Sequence, residues 1–349
     1  MGKSITVAYI TSRRNSRVKW FLDSLHRECG GDYSELEVVV IDYYMQVTNE
    51  WNLLGVNARR EELEGWSHCE VKHTAPKPTV WQGTHRLTSQ DYFAAANARN
   101  TALCLAEGEY LVCVDDLSVL VPGWLDEVKM AAEGGWVACG SYGKARGLRV
   151  EEGEIVDFEG YTPPILIEDQ EGGGEELWKR LYKGMLEGWP VGCDTRLAQV
   201  GDKGPHPCDG GWAYGCSLGA PVEALLSING WDEDNDSMGG EDYACGMMLH
   251  RKGHELKYHP AMMTIESEEA HSELGEKIFK RIIKGPPGPR DASQVMYSYL
   301  VSGMKKVSAD YYGGKGLRDV REAVLKGTPF PVVKIPEHDW RDGQALAEM

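Results

Sequence analysis

Residues 5–10 form a short apolar run rich in β-branched side chains; polar Thr11-Ser12-Arg13-Arg14-Asn15 follows, and then apolar positions at helical spacing, Phe21, Leu22 and Leu25. Such a pattern reads as strand, loop, helix. A second apolar run, 36–41, stops at Asp42, and a third, 69–73, is bounded by Pro76 and Pro78. A helical pattern over 92–106 leads through Gly108 to a strand at 110–114 that ends in Asp115-Asp116. Strands alternating with helices predict a mostly parallel α/β sheet with crossover helices. Ligands in such sheets collect beyond the carboxyl ends of the strands. Asn15, Asp42 and Asp115-Asp116 all stand at or just after a strand end, so they are expected to face one crevice.

The pattern loosens from 143 to 211, with a strand or hairpin at 154–158, the acidic stretch Glu171-Gly172-Gly173-Gly174-Glu175-Glu176 and a helix near 177–186. Apolar patterning resumes at 213–228, a second acidic cluster fills 230–253, and a strand is expected at 255–258 with continuation through 262–265. A lysine-bearing helix over 277–284 ends at Gly285-Pro286-Pro287-Gly288-Pro289, which continues neither helix nor sheet. Helices near 293–306 and 317–326 precede a Pro-punctuated tail. The expected organisation is a main domain over 1–272, carrying a loop-rich insertion at 143–211, and a mainly helical C-terminal extension over 273–349. There is no internal repeat.

The chain has 349 residues, 42% of them hydrophobic and 26% charged, enough to bury a substantial core. No run approaches the ~18 apolar residues of a membrane-spanning helix, and Met1-Gly2-Lys3-Ser4 leads into a strand rather than a signal peptide. A cytoplasmic protein without a membrane partner is expected. The nine cysteines form no Cys-x-x-Cys pair and sit in apolar runs, which favours reduced, buried thiols. A net charge of −17 argues against broad attraction to phosphate backbones or anionic membranes.

Two carboxylates at the lip of a buried strand need a counter-charge, and a hard divalent cation is the simplest. The bland alternative, acidic residues that merely begin a loop, has equal weight from the dipeptide alone. The neighbouring residues change that balance. Asn97-Ala98-Arg99-Asn100-Thr101-Ala102, Ala106-Glu107-Gly108-Glu109-Tyr110-Leu111, Val114-Asp115-Asp116-Leu117-Ser118 and Pro122-Gly123-Trp124-Leu125 occur in this order. Together they resemble the family-2 glycosyltransferase block. The resemblance implies a GT-A fold, a Rossmann-like mixed sheet flanked by helices, and a nucleotide-sugar donor whose diphosphate is neutralised by Mn²⁺ or Mg²⁺. Leu117 departs from the DxD-type motif, so the metal is expected mainly on Asp116, with Asp115 nearer the nucleotide.

A second block, Ile228-Asn229-Gly230-Trp231-Asp232-Glu233 followed by Gly239-Gly240-Glu241-Asp242-Tyr243 and Leu249-His250-Arg251-Lys252-Gly253, resembles the family's acceptor side. That resemblance makes Asp242 the general base, with Glu241 orienting it or the acceptor, and implies an inverting transfer. The competing view, two first-turn acidic residues complementing a helix dipole, is the stronger one only when this block is read alone. The resemblance also implies a histidine ligand after the strand that follows, which favours His271 for the cation, with Glu266, near the usual ligand position by register, as the alternative. Thr11, Arg13, Asn15 and Asp42 match positions lining the base and ribose pocket, which favours UDP-sugars; Arg99 either meets the diphosphate or makes a structural contact. Trp212, Tyr214 and Trp231 are the expected aromatic acceptor residues, ordinary core packing being the alternative for the first two. The acceptor is a hydroxyl of a soluble glycan, small molecule or protein. A phage-type modification of hydroxymethylated-pyrimidine DNA is the minority reading, supported by the lysines of 277–284 and Lys305-Lys306. The rival classes are a nucleotidyltransferase, disfavoured because residues 11–17 lack a glycine, and a non-catalytic nucleotide- or carbohydrate-binding module.

Overall fold

The computed structural model describes residues 4–13, 15–46, 59–60, 62–79, 94–145, 147–158, 194–200, 202–236, 240–267 and 316–331. Strand β1 (Ile5–Thr11) leads to helix α1 (Val18–Cys29), β2 (Leu36–Asp42) and β3 (Val71–Thr74). Helix α2 (Ala95–Leu105) then precedes β4 (Tyr110–Asp115) and β5 (Ser118–Leu120), and α3 (Trp124–Gly134) precedes β6 (Val137–Ala145). A separate hairpin pairs β7 (Arg149–Glu151) with β8 (Glu154–Asp157). The remainder comprises β9 (His206–Pro207), β10 (Ser217–Pro221), α4 (Val222–Ser227), α5 (Glu241–Arg251), β11 (Leu256–Ser267) and α6 (Leu317–Leu325).

Among the described residues nine strands form one sheet in the order β3-β2-β1-β4-β10-β6-β11-β5, with β9 also on β11. Strands β3, β2, β1 and β4 run parallel, as do β6 and β11. Strand β10 lies antiparallel between β4 and β6, and β5 and β9 are antiparallel to β11. The sheet is therefore mixed, less parallel than the alternating pattern alone implies. A five-residue strand followed at once by α4 gave no sign in the sequence of which edge it would join.

Both faces of the central strands are covered, which is why β1, β2 and β4 read as continuous apolar runs. Val7, Tyr9, Val38 and Val40 join Phe21, Leu22 and Leu25 of α1 in one core layer. Ala8, Ile10, Val39 and Ile41 point the other way and join Ala98, Ala102 and Leu103 of α2. Fully burying one Leu or Phe stabilises by roughly 1.5–3 kcal/mol, so three such residues at helical spacing suffice to hold α1 on the sheet. Gly30 stops that helix in a left-handed conformation, φ 57°, with its N–H on the Arg27 carbonyl.

Helix α2 sits close to the sheet because its side chains facing the strands are small, and its first ten residues are all buried. Its N-terminus has no local side-chain cap. Asp236 supplies one from 140 positions away, accepting from the N–H groups of Ala96 at 2.6 Å and Asn97 at 3.1 Å. Asn97 and Asn100 bind the segments on either side: Asn97 donates to the Lys77 carbonyl at 2.9 Å, and Asn100 exchanges hydrogen bonds with the Trp231 backbone at 2.8 Å. Lys77 pairs with Glu233 in the same buried network. These contacts explain why two asparagines flank Arg99.

Helix α6 packs on α2 through buried Leu317 and Val320, and its first N–H donates to Asn229 Oδ1 at 2.6 Å. The helices expected at 177–186, 277–284 and 293–306 lie outside the described residues. The strand expected at 255–258 with continuation through 262–265 is β11, which has an irregularity between His259 and Met263 where it pairs with β6.

Candidate active site

Strand β1 is parallel to a neighbour on each side: the chain leaves it toward β2 and returns to β4. The loops at the carboxyl ends of β1 and β4 therefore part there, opening the crevice such a switch point creates. The register Ile10↔Asp115 sets Thr11-Ser12-Arg13 beside Asp115-Asp116. Thr11 Oγ1 donates to Asp116 Oδ2 at 2.9 Å and Arg13 Nε donates to Oδ1 at 3.0 Å. Directly after the pair, Leu117 takes a left-handed conformation, φ 66°, with a buried side chain. Its N–H donates to the Ser16 carbonyl at 3.0 Å and to the Tyr9 hydroxyl at 2.9 Å. A branched aliphatic residue rarely adopts that backbone, so the turn presenting the two aspartates is held by its surroundings.

The second acidic pair comes from the start of α5. Gly246 of α5 and Gly210 face each other so closely that a Cβ on Gly246 would lie 2.2 Å from the Gly210 carbonyl oxygen. That approach brings Asp242 to the segment after Gly210, where the Gly215 N–H donates to Asp242 Oδ2 at 2.8 Å. The Tyr243 N–H donates to Oδ1 at 2.7 Å, so both carboxylate oxygens are oriented by backbone.

Arg99 connects the two pairs. Its Nη2 donates to Asp115 Oδ1 at 2.9 Å and its Nη1 to Glu241 Oε1 at 2.5 Å. Burial would lower the guanidinium's pKa, but Asp115, Glu241 and Asp242 outweigh burial and raise it well above the ordinary value. Gly215 gives this side chain room, because a Cβ there would stand 1.9 Å from Arg99 Nη2.

A cavity of about 290 Å³ joins these groups, lined by Arg13, Arg99, Asp115, Asp116, Glu241 and Asp242 together with Tyr142, Lys144, Tyr214, Cys216 and Glu266. Five carboxyl groups face three cationic side chains in it. Burial pushes the Asp116 carboxyl up, an effect Arg13 and Thr11 offset only in part. Burial and then Asp242 do the same to Glu241. Glu266, opposite Lys144 at 3.6 Å, is pushed up to about 8, by burial first and then by Asp115 and Asp116. The crevice is short of positive charge before any anionic ligand enters it.

Several residues expected at the site occupy other places. Asp42 is fully buried and accepts from Arg59 Nε at 3.0 Å, and its Oδ2 lies 3.0 Å from His73 Nε2. Arg59 in turn donates to the Arg13 carbonyl at 2.5 Å, so Asp42 stands behind the loop at 11–13, supporting it. Asn15 is exposed on that loop. Trp231 is buried in the core, and half-buried Trp212 meets Tyr258 edge-on at 5.2 Å, leaving Tyr214 as the one of the three expected aromatics that lines the cavity. His271 lies outside the described residues. Tyr142, Lys144 and Cys216 line the cavity without having been anticipated; the first two are at the end of β6, where the sequence shows only a fading apolar run.

Among the described residues no three His, Cys, Asp or Glu side chains already converge as a metal cage, and no helix is long and apolar enough to cross a membrane. The arrangement is a carboxylate-rich crevice at a switch point, with one buried arginine shared between its two halves. No protein-family model and no curated protein matches the chain. Solved structures similar to it include a fragment of S. aureus TarS in complex with UDP-GlcNAc, 12% identical over 92% of this chain and 73% of that one, at a TM-score of 0.46. The same fragment in complex with UDP is 13% identical over 76% of this chain and 60% of that one, at 0.42. The mannosyltransferase PcManGT from Pyrobaculum calidifontis, in complex with GDP-Man and Mn²⁺, is 16% identical over 76% and 56%, at 0.41. The chain thus spans less than two thirds of the latter two. At these identities and scores the functional reading rests on the crevice's own residues.

Proposed function

We propose that this chain is a metal-dependent, inverting glycosyltransferase that moves a sugar from a nucleoside diphosphate, UDP in preference to GDP, to an acceptor hydroxyl. The observation that carries the reading is the union, in one crevice, of Asp115-Asp116 at the end of β4 with Glu241-Asp242 at the start of α5, joined by Arg99. The two motif blocks read from the sequence contain the same two pairs.

Charge supports the cation. A diphosphate would add at least two negative charges to a cavity in which carboxyls already outnumber cationic groups and three of them are pushed up by burial. Oxygen donors suit Mn²⁺ or Mg²⁺, which take one or two carboxylates and complete their shell with phosphate oxygens. Asp116 and Glu266 are the residues that would hold it, with His271 as the alternative to Glu266. When bound, the ion would supply electrostatic stabilisation of the departing diphosphate.

Asp242 takes the proton of the acceptor hydroxyl. The oxygen's electron pair forms the new bond to the anomeric carbon while the bond to the diphosphate breaks, the leaving group departing with its pair. Attack from the face opposite the nucleotide inverts the configuration. Gly215 and Tyr243 aim the Asp242 carboxylate through their N–H groups, and Arg99 keeps Glu241 and Asp115 apart at a fixed separation.

A panel of nucleotide sugars screened for thermal stabilisation, with and without Mn²⁺, tests the reading. One donor is expected to raise Tm only with metal, and not in Asp116→Ala. Asp242→Asn is expected to bind that donor as the parent does and to lose turnover by about 10²–10⁴-fold. Donor binding without loss of turnover in Asp242→Asn would remove the base assignment, and no response to any donor would remove the class.

A further inference from the structure

The part of the crevice wall next to Asp242 is aromatic. Tyr142 at the end of β6 and Tyr214 line the cavity with ring centroids 6.1 Å apart and planes inclined at 54°. Tyr214 is the residue immediately before Gly215, whose N–H holds Asp242. Tyr214 and Asp242 thus share both the cavity and the 214–215 backbone.

Behind Tyr214 sits Arg196, only 3% exposed, its guanidinium carbon 4.0 Å from the Tyr214 ring centroid and 4.7 Å from that of Tyr258. Nε donates to both oxygens of Asp194 at 2.8 and 3.0 Å, Nη2 to the Gly140 carbonyl at 2.7 Å, and Nη1 to the Trp212 carbonyl. Asp194 also accepts from the Tyr258 hydroxyl at 3.1 Å. With all three nitrogens engaged, Arg196 has no role as a direct ligand. It grips the 212–214 segment at two points, the Trp212 carbonyl and the Tyr214 ring, one residue before the segment reaches Asp242. A planar fork with fixed donor directions suits that work, and a single ammonium does not.

The chemistry of the wall limits what can lie on it. Tyrosine faces pack against the C–H face of a sugar ring, and carboxylates accept hydrogen bonds from its hydroxyls. The same carboxylates repel phosphate or sulfate, and the whole chain, at −17, repels polyanions. We propose that Tyr142 and Tyr214 form the acceptor subsite of the crevice, that it takes an uncharged pyranose, and that Arg196 is the positioning residue that sets Tyr214 and, through Gly215, Asp242. This assignment rests on the glycosyltransferase reading above and narrows its acceptor to a neutral glycan end, against a phosphate-bearing glycan or modified DNA.

The test begins with the donor found in the thermal panel and measures initial rates with three acceptor sets: methyl glycosides and disaccharides of neutral hexoses, the corresponding 6-phosphates, and hydroxymethylcytosine-containing duplex DNA. Neutral glycosides are expected to be used, and saturation-transfer NMR is expected to show their ring protons against the protein in UDP and diamagnetic Mg²⁺. Tyr142→Ala and Tyr214→Ala are expected to raise the acceptor KM by about tenfold or more while the donor KM stays within about twofold, and Tyr214→Phe, which keeps the ring, to recover most of the acceptor binding that Tyr214→Ala loses. Arg196→Lys is expected to fold, to keep the donor KM, and to lower kcat and raise acceptor KM together. If the tyrosine variants raise the donor KM instead, or if the 6-phosphates or the DNA are preferred over neutral glycosides, the subsite assignment is overturned while the transferase reading stands. An Arg196→Lys enzyme with parental kcat and acceptor KM overturns the positioning role. A parent enzyme that binds no donor overturns both readings together.

Discussion

Arg99 has a carboxylate on each arm and almost no exposed surface, so neither arm can be exchanged for water. Lysine in its place offers one point of charge where two directed donors are needed. Arg99→Lys is expected to lower kcat/KM by about a hundredfold, ~2.7 kcal/mol of transition-state stabilisation, read from initial rates. Glu266 gives a second prediction at this scale. Its folded pKa, about 8, stands above the ordinary 4.5, so the folded protein holds a proton that the unfolded chain sheds earlier. The contribution to stability is complete below about pH 4.5 and is lost as pH rises through about 8. In chelator, Glu266→Gln should flatten the fall in urea midpoint between about pH 5 and about pH 9 relative to the parent; an unchanged slope would discard Glu266 as its source. The sequence disclosed the acidic pairs and Arg99 because each lies in a short contiguous motif. It did not disclose Arg196 with Asp194, Arg59 with Asp42, or Tyr142, since what gives those residues meaning is a neighbour distant in the chain or a strand end that ordinary patterning does not mark.

At the level of elements, the contact between α5 and the turn at 210–212 decides where Asp242, the proposed base, stands. Alanine in a helix interior is favoured over glycine by about 1 kcal/mol, which taken alone would make Gly246→Ala stabilising. The added Cβ would meet the Gly210 carbonyl oxygen at 2.2 Å, and that atom is backbone, with no rotamer to escape into. The clash is expected to win. Gly246→Ala should lower the thermal midpoint and reduce kcat more than donor affinity, because the helix bearing Asp242 is displaced from Gly215. The capping of α2 is a separate element-scale case. Asp236→Ala uncovers the N–H groups of Ala96 and Asn97 in a buried setting, and a loss of about 1–2 kcal/mol is expected by urea denaturation. The helix itself was legible from its apolar and small-residue pattern; its cap was not, because a helix whose N-cap and first two residues are all alanine carries no local signal of where its N–H groups go.

Across the whole molecule, the order of strands was less legible than their existence. Runs at β1, β2 and β4 are strongly apolar and were evident, while the placement of β10 between β4 and β6 depends on pairing partners that no local pattern specifies. The same topology orders events as the chain is made. Strands β1 to β4 can associate once residues up to Asp115 have emerged, but the free edge of β4 is closed only by Ser217–Pro221, and β6 then waits for Leu256–Ser267. At ordinary rates of synthesis that first wait is on the order of ten seconds. Throughout it, the hydrogen-bonding edge beside Asp115-Asp116 lies open, so the nascent protein is at greatest risk of pairing with a stranger at the very strand that ends in the crevice's first acidic pair.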